Sequence, residues 1–232
     1  PWLRGDQFDG VMNYEWTTPI WRLLGNEKAV GGRLDPEGFI LSMSRVMALI
    51  PEPIFENMFN LLDSHDTSRL ATLFESNLHK QRLAYWMQMT FGGSPSIYYG
   101  SEVALEGEGD GNRMCMPWAH PPREGVHYKF LKGAIALRKS EPLLRKVYTQ
   151  FITACLPLIC YEKTDGETIL RFIVNPTKEN HEVAEAHWPE TATVLDADLW
   201  TATEKNGNDP KNRMLSRNLK PYTGVMLKLR KG

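Results

Sequence analysis

Long apolar runs are missing from this chain of 232 residues. None approaches the roughly 18 residues that a membrane-spanning helix needs. A surplus of one charge is missing too. Lys and Arg number 27 against 28 Asp and Glu, for a formal net charge of -1, and no run of like charges is present to attract a polyanion or an acidic lipid surface. Neither nucleic acid nor a membrane is therefore expected as a partner. Cysteine is scarce: Cys115, Cys155 and Cys160 are an odd number at spacings that fit neither a zinc knuckle nor a disulfide scaffold. They read as buried free thiols. The opening P-W-L-R-G-D has no charged leader, apolar core or initiator Met, so a natural start is expected upstream and no localisation is read from this end. Internal repeats and low-complexity tracts are absent as well. Against these absences stand 42% hydrophobic residues, enough to bury the core of a globular chain of this size.

From residue 8 to about 140, short apolar runs alternate with helical stretches, the pattern of parallel strands joined by crossover helices. Strands are expected over residues 8–14, 58–62 and 96–99. Asp35-Pro36-Glu37 reads as an N-cap, a proline at the first helical position and an acid in the first turn, opening a helix that ends at Pro51. A second helix is expected over 78–90, stopped by Gly92-Gly93, and a third over 126–139 after a long loop from Gly100 to Pro122. Beyond Glu141-Pro142 the segments F-I-T-A-C, L-I-C-Y-E-K, T-I-L-R-F-I-V-N and G-V-M-L-K-L-R are short and β-prone, punctuated by Asp165-Gly166, Asn175-Pro176 and Asn206-Gly207. Asp165-Gly166 between two such runs is a hairpin turn. This tail is expected to form an antiparallel β-sandwich with a core of its own.

The most informative stretch is N-L-L-D-S-H-D-T-S-R, residues 60–69, where an apolar strand runs into His65-Asp66. A strand tip is a rigid mount, and an imidazole beside a carboxylate can hold vicinal hydroxyls, act as an acid/base pair or supply two metal ligands. A polar strand end that caps the next helix would look the same from the pair alone. The second constellation is G-S-P-S-I-Y-Y-G-S-E, residues 93–102, where Tyr98 and Tyr99 offer flat faces to a sugar and Glu102 opens the loop. Within that loop Asp110, Arg113 and Trp118 lie close together, an acid and an arginine suited to polyol recognition or equally to a surface ion pair. G-G-R-L-D at residues 31–35 imitates a glycosidase nucleophile motif, but the helix-cap reading of Asp35 is the stronger. His79, His120, His127, His181 and His187 are scattered without ligand spacing and read as surface residues, so no metal or cofactor is expected.

Four stretches together, G-D-Q-F-D-G-V-M-N-Y, L-L-D-S-H-D-T, G-S-P-S-I-Y-Y-G-S-E and G-N-R-M-C-M-P-W, resemble the α-amylase superfamily of glycoside hydrolases. Within it they are most similar to the neopullulanase, cyclomaltodextrinase and maltogenic amylase group. The resemblance implies an α/β fold: the C-terminal portion, about strands six to eight, of a (β/α)8 barrel over residues 1–144, followed by an antiparallel β-sandwich over 145–232. It implies retaining hydrolysis of α-1,4-glucosidic bonds in maltodextrins, cyclodextrins or pullulan. Asp66 would then be the carboxylate that stabilises the transition state, with His65, Asp110, Arg113 and Tyr99 binding substrate. The Asp110 to Arg113 spacing is one residue shorter than the group's pattern. The family's nucleophilic Asp and acid/base Glu precede strand six and have no counterpart here. Such a chain is expected to be inactive alone, with an α-glucan and the missing N-terminal barrel portion as partners and a homo-oligomer as a further option. The free-thiol reading and the subgroup favour the cytoplasm. Two competing readings are a non-catalytic carbohydrate-binding or scaffolding protein and one half of a split amylase.

Overall fold

The computed structural model describes residues 3, 6–25, 31–118, 125–146, 148–196, 199–200 and 217–230. It begins with helix α1 (Tyr14–Leu24), α2 (Pro36–Leu49) and the short α3 (Glu52–Phe55), which lead into strand β1 (Phe59–Leu61). Helices α4 (Leu70–Leu73) and α5 (Leu78–Thr90) follow, then strand β2 (Ser94–Ser96), the 3-10 turns Ser101–Val103 and Gly109–Arg113, and helix α6 (Val126–Ser140). The rest is antiparallel: β3 (Gln150–Ile152), β4 (Ile159–Thr164), β5 (Thr168–Asn175), β6 (His181–Glu182), β7 (Thr193–Val194), β8 (Asn218–Leu219) and β9 (Thr223–Arg230). Among the described residues no helix is long and apolar enough to cross a membrane.

β1 and β2 are parallel, with Phe59, Asn60 and Leu61 opposite Ser94, Pro95 and Ser96. The strand expected over residues 8–14 shrinks to one parallel bridge between Met12 and Phe59. Asn13 ends it. Its side chain accepts from the Trp16 N–H at 3.2 Å, opening α1, and donates to the Asn60 side chain at 2.8 Å. α1 was not anticipated, because Pro19 sits inside it; its buried face of Trp16, Ile20, Leu23 and Leu24 nevertheless has helical spacing. α2 begins as read, with Asp35 accepting from the Gly38 N–H at 2.7 Å. β2 lies two residues earlier than expected, starting after Gly93 at φ +87°. There a Cβ would stand 2.7 Å from the Asn60 side chain, so glycine is what lets the strands close up. Gln88 of α5 holds the pair together by donating to the Asn60 and Ser96 carbonyls at 2.7 and 2.9 Å.

The antiparallel sheet has the order β3-β4-β5-β9-β7, and β6 pairs with β8 apart from it. Asp165-Gly166 makes the β4–β5 hairpin as read, whereas Asn206-Gly207 lies outside the described residues. One sheet face does not carry a core of its own. Ile159, Tyr161, Leu170, Phe172, Val174 and Met226 merge with Leu83, Trp86, Met87 and Met89 of α5 into one buried cluster. The Trp86 and Phe172 rings meet at 6.0 Å, and Tyr161 stacks on Phe172 at 4.6 Å. The other face packs Leu158, Ile173, Val183, Trp188, Leu219, Val225 and Leu227 into a second cluster. Residues 81–90 of α5 are buried all round rather than along one stripe, because α5 packs on this first sheet face and also against α6 and α1.

Two side-chain expectations change. Cys155 and Cys160 are joined in a disulfide, because the 3-10 turn Thr153–Cys155 folds the chain back and brings their Cα atoms to 5.9 Å. The free-thiol argument for the cytoplasm loses two of its three residues, and Cys115 is free but exposed rather than buried. His127 is buried against Tyr85 rather than on the surface, while His120 lies outside the described residues. Leu61 and Leu62 are buried, the Thr17 hydroxyl and the Trp21 indole donating to their carbonyls at 2.7 and 2.8 Å.

Candidate functional site

Beyond Leu61 the chain leaves β1 and turns within eight residues into α4. Asp63 anchors that turn from below. It is buried, accepts from the Leu70 N–H at 3.0 Å and from the Ser101 hydroxyl at 2.9 Å, and so joins the end of β1 to the loop after β2. Burial pushes its carboxyl above the usual range, against the opposing pull of those two hydrogen bonds. Ser64 locks the next step: its N–H donates to the Thr67 hydroxyl at 2.9 Å and its hydroxyl accepts from the Asp66 N–H at 3.1 Å. The two residues between these clamps face outward.

His65 and Asp66 are that pair, their side chains 53% and 59% exposed and His65 Nε2 3.2 Å from Asp66 Oδ2. Arg113 comes from the far loop to 3.5 Å from the other oxygen, Oδ1. The loop is held there by backbone contacts. Asn112 donates to the His65 and Thr67 carbonyls at 2.8 and 2.9 Å, and Arg113 Nε donates to the His65 carbonyl at 3.3 Å. Ion pairs this exposed contribute about 0–1 kcal/mol each, so stability does not account for the arrangement. What it offers is a carboxylate with free lone pairs between two donors, a set that can accept two adjacent hydroxyls of a polyol while donating to their neighbours.

The other sequence-derived candidates part company. Asp110 is exposed and has no hydrogen bond or ion pair to a described residue, so the partner of Arg113 is Asp66 and not Asp110. Tyr99 is on the loop side of the turn, its hydroxyl donating to the Met114 carbonyl at 2.7 Å. Trp118 is exposed at the end of the described part of the loop. Glu102 is half-buried, and its charge acts on the buried Asp63, pushing that carboxyl further up. Beneath the site His127 donates from Nε2 to the Ser101 carbonyl at 3.1 Å, and burial lowers its pKa to about 4, leaving the ring neutral.

The sequence alone does not single out Asp63, Arg69, Ser101 or Asn112. Arg69 and Asp63 were visible inside the D-S-H-D-T-S-R stretch as charges flanking the pair at a predicted strand end, where burial has to be explained. Ser101 and Asn112 carry no local signal. Among the described residues no group of three or more His, Cys, Asp or Glu is placed to hold a metal ion.

The family profile for the alpha amylase catalytic domain matches residues 1–214. A cyclomaltodextrinase of Geobacillus thermopakistaniensis is 37% identical over 186 residues, covering 79% of this chain and 31% of that protein. Neopullulanase 2 of Thermoactinomyces vulgaris is 32% identical over 229 residues, covering 97% of this chain and 38% of its own length. Among solved structures a debranching enzyme from Nostoc punctiforme superposes with a TM-score of 0.75 at 26% identity, covering 98% of this chain and 49% of the other. The chain thus spans about a third of the length of the curated relatives it matches. With the profile covering most of its length and the hydrolase relatives in agreement, the chain belongs to the α-amylase family.

Proposed function

We propose that this chain supplies the sugar-holding part of the active site of a retaining α-glucan hydrolase, acting on α-1,4-glucosidic bonds in maltodextrins, cyclodextrins or pullulan. The observation that carries the reading is the exposed Asp66 carboxylate between His65 and Arg113 at the carboxyl end of a parallel strand. In this reading the Met12 bridge, β1 and β2 correspond to strands six to eight of an eight-stranded barrel over residues 1–144, and residues 145–232 form the sandwich that follows. The fraction of the relatives covered supports it, as do the parallel pairing and the antiparallel order beyond residue 150. Asp66 accepts hydrogen bonds from the 2- and 3-hydroxyls and stabilises the oxocarbenium-like transition state, with His65 donating beside it. Arg113 and Tyr99 hold the sugar from the loop side. Asp110 is the weakest member of the set, since nothing fixes its side chain.

Retaining chemistry needs a nucleophilic carboxylate and an acid about 5 to 5.5 Å apart, and His65 with Asp66 cannot fill both roles. The partner is accordingly the preceding barrel portion that carries those two groups. Purified chain should release no reducing ends from maltooligosaccharides, cyclodextrins or pullulan. Turnover that Asp66→Ala abolishes would refute this assignment of the carboxylates. In the uninterrupted parent, Asp66→Asn should lower kcat by at least ~100-fold with a smaller effect on KM, the scale expected when one contact to developing charge is lost. A variant with near wild-type kcat would sink the role.

A further inference from the structure

Arg69 is fully buried, yet among the described residues it forms no ion pair. Its guanidinium lies 4.0 Å from the centre of the Tyr98 ring and 4.6 Å from that of Tyr99. Nε donates to the Asn112 carbonyl at 2.9 Å, Nη1 donates to the Tyr99 carbonyl, and Nη2 is buried without a partner among the described residues. The residue's own N–H donates to the Gly107 carbonyl at 2.8 Å. A buried cation with an idle nitrogen is a poor device for stability, since an apolar side chain of similar volume would fill the space without the desolvation cost. Its geometry, however, is specific. One planar fork, mounted three residues after Asp66, fixes both ends of the loop that carries Arg113. Asn112, whose carbonyl it holds, is the residue that reaches back to His65 and Thr67.

We propose that Arg69 is a positioning residue: clamped against Tyr98 and Tyr99, it sets the loop after β2 onto the His65–Asp66 turn and thereby delivers Arg113 to the Asp66 carboxylate. The consequence for sugar binding rests on the reading of Asp66 given above, but the positioning itself does not. Lysine cannot substitute, because it lacks the two-pronged planar donor and stacks less well.

Carbon-13 labelling of aspartate carboxyl groups in the full chain gives the test, with the Asp66 resonance assigned through Asp66→Asn. Arg113→Ala should shift that resonance, Arg69→Met should shift it in the same direction, and the double variant should add nothing. Arg69→Lys should not restore it. Amide exchange over residues 99–113 should accelerate at least ~10-fold in Arg69→Met while that of α5 is unchanged, the signature of local rather than global opening. If Arg69→Met does not fold, Tyr98→Leu, which removes one ring from the clamp, should give the same shift at smaller amplitude. A folded variant with an unmoved Asp66 resonance and unchanged exchange overturns the proposal. Maltotriose titration then separates the two readings. Wild-type chain that ignores maltotriose while Arg69→Met still moves Asp66 removes the sugar site and supports the positioning role. Binding by wild type that weakens ~10-fold in both Arg69→Met and Arg113→Ala, about the loss of one charged hydrogen bond, supports both. Equal affinity in wild type and Arg69→Met overturns the delivery of Arg113.

Discussion

Asp196 is a carboxylate with no cation paired to it among the described residues. It accepts from the Trp86 indole at 2.8 Å, the Met226 N–H at 2.9 Å and the Trp200 indole at 3.4 Å, and burial nevertheless raises its pKa to about 7. Because the folded chain holds this proton more tightly than the unfolded one, the group's contribution is full below pH 3.8 and fades as pH rises to about 7, by up to about 4 kcal/mol. His127 acts in the opposite sense. Its folded pKa of about 4 lies below the ordinary 6.5, so its contribution is full above pH 6.5 and fades as pH falls, by about 3 kcal/mol. Urea unfolding between pH 4 and 6.5 should therefore show little net slope in the wild type from this pair. Asp196→Asn should leave stability rising with pH across that window, and His127→Gln should leave it falling. Slopes of the reverse sign would mean that the two groups are not protonated as described. At Gly224 the constraint is steric instead. A Cβ there would stand 2.9 Å from the Trp86 ring, and that ring is fixed in the shared core, so Gly224→Ala should destabilise by about 1–3 kcal/mol. A melting temperature equal to wild type would show that Trp86 can yield.

Arg138 ties elements together in the way that Arg69 ties loops. From the last turn of α6 its Nη1 donates to the Met89 and Phe91 carbonyls at 2.7 and 2.8 Å, at the C-terminal end of α5, and to the Leu144 carbonyl at 3.1 Å. Nη2 donates to the Gly93 carbonyl at 2.6 Å. These carbonyls have no helical partner, and a cation suits a helix C-terminus. Arg138→Met should cost about 2–4 kcal/mol through the Met89, Phe91 and Gly93 carbonyls left unpaired, the Leu144 carbonyl keeping Lys163 Nζ at 3.3 Å; a loss under about 0.5 kcal/mol would mean that water replaces it freely. Elements closed by such local devices were readable in advance. The Asp35-Pro36 start of α2, the stop of α5 at Gly92-Gly93 and the Asp165-Gly166 hairpin all follow from residues acting on their own backbone. Where the decision is made at long range, sequence misleads. Tyr98 and Tyr99 have the composition of a strand, but the Arg69 guanidinium draws their rings out of β2. Asn13 stops the first strand because Asn60, 47 residues away, holds its side chain. For the site the same division holds: His65 and Asp66 stand on a strand tip that apolar patterning reveals, whereas the pairing of Arg113 with Asp66 depends on how a loop folds back.

The molecule as a whole is unevenly finished. Among the described residues its antiparallel sheet is covered on both faces, while its parallel sheet has two strands and a bridge, with Met12 42% and Phe59 50% exposed beside it. Parallel strands are ordinarily buried on both faces and paired on both edges. Sedimentation velocity should show association that grows with concentration, and Phe59→Lys should weaken it; a monomer at every concentration would remove the case for a partner at this surface. The two parts also depend on each other unequally. If the tail from residue 145 onward were a free-standing sandwich, its inner face would be satisfied within it, but Tyr161, Phe172 and Met226 lie wholly buried in one cluster with α5. Removing residues 1–144 would uncover two large rings and their neighbours, on the order of several hundred Å² of apolar surface, more than soluble monomers usually expose. It would also strip Asp196 of the Trp86 indole that donates to it. The second cluster, around Trp188 and Leu227, is smaller and has no such aromatic stack. Residues 145–232 expressed alone should therefore aggregate or lack a cooperative unfolding transition, with little near-ultraviolet circular dichroism. A sharp two-state transition and native-like aromatic signals from that piece would show that its outer cluster suffices, and that the contact with α5 joins two units that fold separately.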